Sequence, residues 1–129
     1  MNQYEKEKME IAKYVISKMW NCNESQFTLM KKRNTNIVIA RRFFIYYLWK
    51  HCDVKHNRMK DYIHGMNHAT SIYHCRKFEE EMEIYKDIQK KWITFLFYAD
   101  HKEYKKLKID MNYTIETINN IDFNSNYIY

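Results

Sequence analysis

The side chains with chemistry to offer lie in three short basic clusters, Lys31-Lys32-Arg33, Arg41-Arg42 and Arg76-Lys77, and in a small polar run that includes Asn67, His68 and Thr70. Such cations neutralise phosphate, and amide, imidazole and hydroxyl groups exchange hydrogen bonds with base edges. Twenty-two Lys and Arg against sixteen Asp and Glu leave a net charge of +6, a balance that favours polyanionic partners. Glu79-Glu80-Glu81 and Glu83 follow directly on the last basic cluster. One face of the molecule is therefore expected to be positive and another negative.

Other chemistries find less support. Six histidines and three cysteines include Cys52 with His56 and the adjacent His74-Cys75, but no CxxC spacing occurs. His64 and His68 stand four apart, yet Gly65 and Asn67 interrupt any helix between them, so no metal site is expected. No paired carboxylates and no nucleophile with its base stand out, and an enzyme is not expected. The single glycine, Gly65, excludes both a phosphate-binding P-loop and a dinucleotide fingerprint, each of which needs several glycines to bring backbone against phosphate. Neither a nucleotide nor another cofactor is implied. Cys22, Cys52 and Cys75 are odd in number and read as reduced thiols in a cytoplasmic protein. No apolar run approaches the length of a membrane span, and residues 1–30 carry charge throughout, unlike a signal peptide. Abundant Asn, Ile, Lys and Tyr beside scarce Gly and Pro suggest an AT-rich coding sequence, as in some bacteria and phages.

The elements that must position these residues read as helices. The chain has no proline, and its apolar residues recur at threes and fours, so the fold class is all-α. A first helix over 4–20 places Met9, Ile11, Ala12, Val15, Ile16 and Met19 on one broad face. Ser25 can cap a short helix that runs to Met30. The basic stretch 31–36 has no apolar rhythm and reads as a solvated connection. A central core helix follows over 37–51, with Arg41 and Arg42 near its start. A short third helix over 55–64 has Met59, Tyr62 and Ile63 as apolar positions. Gly65 then terminates it in the left-handed conformation, and Asn67 caps the next helix from His68. The apolar rhythm continues through Tyr73, Cys75, Phe78, Met82, Tyr85, Ile88, Trp92 and Phe95. This is one long helix or two with a break between Glu79 and Tyr85, for no capping residue marks a second start. Residues 1–100 form the domain, and 101–129 form a basic, then Asn-, Ile- and Tyr-rich tail.

A short helix, a glycine turn and a helix opening on small polar residues is the layout of a helix-turn-helix. The run Gly65-Met66-Asn67-His68-Ala69-Thr70-Ser71-Ile72-Tyr73-His74-Cys75-Arg76-Lys77-Phe78-Glu79 resembles, without a gap, the signature GRDHTTVLHACRKIE of the C-terminal, box-binding domain of the bacterial replication initiator DnaA. Upstream and in the same register, Ala40-Arg41-Arg42-Phe43-Phe44-Ile45-Tyr46 is similar to that family's ARQIAMY segment, and Lys31-Lys32-Arg33 falls at its basic loop. The likeness covers residues 30–81. It implies a helix-turn-helix bundle, of the kind also seen in the Trp repressor, with a long C-terminal helix.

The resemblance implies sequence-specific binding of double-stranded DNA at origin or regulatory boxes. Lys32 and Arg33 would lie on the basic loop, with Arg33 entering a narrow minor groove. Arg41, Arg42 and Lys77 would neutralise phosphate. Asn67, His68, Ala69 and Thr70 would meet base edges and phosphates, with Ala69 against a thymine methyl, and Tyr73 would lie further along the same helix. About five neutralised phosphates imply a log affinity against log salt slope of roughly −4. The chain departs from the family in Asn67 for its acidic residue, Met66 for an arginine, His64 for a glycine and Arg42 for glutamine. The ATPase domain has no counterpart here, so the reading is binding without hydrolysis. The alternative is a protein-interaction module that keeps the fold, docking a partner through 82–98 or the tail.

Overall fold

The computed structural model describes residues 2–30 and 34–99. The order is α1 (Gln3–Trp20), α2 (Glu24–Phe27), α3 (Thr35–His51), a 3-10 helix (His56–Asp61), α4 (His68–Ile84) and α5 (Lys86–Ala99). The chain is mostly helical. No strand occurs among the described residues, where Leu29 and His64 form an isolated parallel bridge.

The ends of the helices follow from local residues. Asn2 caps α1 by accepting from Glu5 N at 2.8 Å, and α1 stops where Asn21 turns left-handed at φ 49°. The short α2 starts two residues earlier than Ser25 would set it, because Asn23 stands at the cap and donates its N–H to Gln26 Oε1 at 2.8 Å. Asn34 caps α3 through Asn36 N at 2.9 Å.

Helix α3 is the axle of the molecule, and it buries side chains almost all round. Its Phe43 ring takes edge contacts from Trp20 of α1 at 4.8 Å, Phe78 of α4 at 5.3 Å and Trp92 of α5 at 5.4 Å. Three helices thus converge on one aromatic side chain.

Two expected elements differ. The segment expected as a helix over 55–64 is a 3-10 helix of six residues, tied by Arg58 N to Lys55 O and Tyr62 N to Met59 O. So short a segment gains little from α-helical bonding, and burial of Met59 and Ile63 holds it instead. The continuous C-terminal helix, one of the two alternatives, is divided at Tyr85, which is extended at φ −105° and ψ 114°. Acidic residues crowd the last turns of α4 with no basic residue to offset the helix dipole there. The bend turns α5 back along α1 and buries Ile88, Trp92 and Phe95. No helix among the described residues is long and apolar enough to cross a membrane.

Candidate nucleic-acid interface

The interface is built from the turn that leads into α4. Gly65 holds φ +86°, and a Cβ placed on it would stand 3.2 Å from Met30 Cβ. The turn is stitched to the segment after α2 by Met30 N to His64 O at 3.0 Å and His64 N to Thr28 O at 2.8 Å. Asn67 is extended and caps α4, its side-chain oxygen accepting from Thr70 N at 2.8 Å. The cap fixes the orientation of the Asn67 amide and leaves its nitrogen as a donor toward the outer side of the turn.

From that cap α4 splits into two sides. Ser71, His74, Cys75 and Phe78 are buried. Asn67, His68, Ala69, Tyr73 and Arg76 are exposed, Tyr73 to 57%, and Thr70 and Lys77 are half-buried. Ala69, Tyr73 and Arg76 are spaced four and three apart and form one outward stripe. Arg76 was visible in the sequence only as a charge. Its helical offset from Ala69 is the signal that would have placed it on this stripe. Lys77 lies to one side, 3.9 Å from Glu80. Neither α3 nor α4 carries an acidic residue in its first turn, so both N-terminal ends are positive.

His68 has histidine company. The His56 ring stands 6.1 Å from it, stacks on Trp49 at 5.0 Å and hydrogen-bonds through Nδ1 with Ser71 Oγ at 2.8 Å. Burial, and next the neighbouring His68, lower the His56 pKa below its ordinary value. His56 thus braces the first turn of α4 as a neutral ring.

The two arginines of α3 lie elsewhere than expected. Arg41 is 2% exposed, and its guanidinium donates to the carbonyls of Gln26 at 3.2 Å, Phe27 at 3.3 Å and Leu29 at 2.7 Å. It closes the C-terminal end of α2 instead of facing solvent phosphate. Burial lowers its pKa, though an arginine stays charged. Arg42, 8% exposed, donates Nε–H to His74 Nδ1 at 3.2 Å and pairs with Glu81. Both side chains are turned inward because α3 has neighbours on every side. Lys32 and Arg33, and the tail 101–129, lie outside the described residues.

The arrangement brings Asn67, His68, Ala69, Thr70, Tyr73 and Lys77 to the outer side of one helix and adds Arg76. It separates them from Arg41 and Arg42. Glu79, Glu80 and Glu83 are exposed at the far end of α4, which limits an anionic ligand to its first half. Comparison of the chain with protein-family models, with curated proteins and with solved structures returns no match.

Proposed function

We propose that this chain binds double-stranded DNA with α4 as its recognition helix, in the manner of the DnaA C-terminal domain it resembles, and without ATPase activity. The observation that carries the reading is the two-sidedness of α4. Its inner side packs on α3, α5 and the 3-10 helix, while its first half offers donors, a methyl, an aromatic ring and a cation to the outside. A helix of this kind enters a major groove with its N-terminal residues at the base edges. Its dipole and its lack of first-turn acids favour phosphate at the same end.

Base reading falls to Asn67, His68, Ala69 and Tyr73, and phosphate contact to Thr70, Arg76 and Lys77, with Lys32 and Arg33 expected to add minor-groove and backbone contacts. Arg41 and Arg42 are not assigned to DNA. Selection from a random duplex library tests the reading. Convergence on one short box is expected, and enrichment of no sequence after several rounds would overturn it.

A second reading has an observation of its own. Ile93 and Phe97 lie exposed four residues apart on α5, at 46% and 70%, and Ile84 and Tyr85 are exposed at the bend. These favour a protein partner on that side. Ile93→Ser with Phe97→Ser, which removes the apolar pair without changing charge, separates the two readings. Under the DNA reading the double variant keeps its duplex affinity.

A further inference from the structure

On the inner side of α4, one side chain of α3 reaches two points of the recognition helix. Arg42 donates Nε–H to His74 Nδ1 at 3.2 Å, and its terminal nitrogen pairs with Glu81 Oε1. His74 and Glu81 are two helical turns apart, roughly 10 Å along the axis, on one face of α4. Apolar packing tolerates small rotations and slides of a helix, but directional bonds from one planar guanidinium to two such points do not.

We propose that Arg42 is a positioning residue: through His74 and Glu81 it holds α4 at one rotation and one height on α3, and so sets which base edges Ala69 and Tyr73 meet. The consequence for base reading rests on the DNA-binding proposal. The hold on α4 rests on the hydrogen bonds alone.

Three observations support it. Within the run Glu79, Glu80, Glu81 and Glu83, only Glu81 is drawn inward, its side chain 16% exposed, and it is the one that Arg42 meets. His74 accepts from Arg42, which requires a neutral ring. Burial, then the charges of Arg42 and Arg41, hold its pKa down at about 4, so the acceptor is present throughout the neutral range. Beside the network, Tyr46 of α3 stacks on Phe78 of α4 at 4.1 Å and donates its hydroxyl to Glu79 at 3.3 Å, which fixes the same pair of helices from a second position.

Glu81→Gln separates positioning from plain electrostatics, because it removes a negative charge from a chain that binds an anion. Electrostatics alone tightens binding to every duplex. Positioning lowers the ratio of affinities for the selected and a shuffled duplex by about tenfold, while affinity for the shuffled duplex holds or rises. Arg42→Lys keeps the charge and loses the two-point geometry, and it should lower the same ratio without changing the salt slope. If Glu81→Gln fails to fold by circular dichroism, Arg42→Lys carries the comparison.

A second readout needs no DNA. NMR titration of His74 should give a pKa that climbs from about 4 toward the ordinary 6.5 in Arg42→Gln, since the adjacent positive charge is gone. An unchanged affinity ratio in the folded variants, or an unmoved His74 titration, overturns the proposal. If the parent chain discriminates no duplex at all, the DNA reading falls, and the His74 titration decides the hold of Arg42 on α4 by itself.

Discussion

Gly65 answers two demands at once. Its φ of +86° costs an L-residue about 1–2 kcal/mol, and an added Cβ would press on Met30 at 3.2 Å. Gly65→Ala should therefore lower unfolding free energy by at least about 1 kcal/mol in a denaturant titration, and an unchanged midpoint would contradict the close approach. His74 makes a prediction in pH. Its pKa is about 4 folded against 6.5 unfolded, so the folded chain binds fewer protons between those values. The stability it contributes is fully present above about pH 6.5 and is lost as pH falls to about 4, by roughly 3 kcal/mol in all. His56, also lowered, adds in the same direction. Denaturation midpoints at pH 7 and pH 4.5 test this, and His74→Gln should flatten the acid limb. At the outer side of α4, His68→Ala should reduce discrimination between duplexes by about 1 to 3 kcal/mol. Arg76→Ala should instead weaken all duplexes nearly equally, as a phosphate contact does.

Among the elements, α4 carries an unfavourable end that a single substitution can correct. Glu83 is exposed beside the last carbonyls of α4, where a cation suits the dipole. Glu83→Lys should stabilise the fold by about 0.3–1 kcal/mol, read as a raised thermal midpoint at low salt that narrows at high salt. Phe43→Ala should cost about 3–5 kcal/mol, because it empties the point where α1, α4 and α5 meet α3. Helices α1 and α3, the Gly65 turn and the Asn67 cap were legible because periodicity and capping chemistry are local. The break at Tyr85 was open as one of two alternatives, within 79–85, but its position was not fixed, for neither glycine nor proline marks it, and what bends the chain is burial of Trp92 and Phe95 against distant residues. The inward turn of Arg41 and Arg42 had a signal that went unread. At helical spacing Arg41 falls between Leu48 and Ile45, inside the apolar arc of α3, and Arg42 falls between Trp49 and Tyr46, so neither arginine has an open solvent side. Arg41 then finds carbonyls, and Arg42 finds Glu81, because a buried cation without such partners would be far too costly.

For the whole molecule, the net charge of +6 matters less than its distribution along α4. The first half offers donors and Arg76, and the second half ends in exposed carboxylates, so under the proposed function a duplex would be met at one end of the helix and repelled at the other. With Arg41 and Arg42 committed inside, about three to four cations remain for phosphate, and the expected slope of log affinity against log salt eases from roughly −4 to roughly −3. The measurement that tests the central claim most directly is a fluorescence-anisotropy titration of the full chain against its selected duplex and a base-shuffled duplex of equal length, at several salt concentrations. The account predicts a slope near −3 on both duplexes and an affinity for the selected one at least about a thousandfold tighter. Equal affinity for the two duplexes, or no binding to either at low salt, would contradict it.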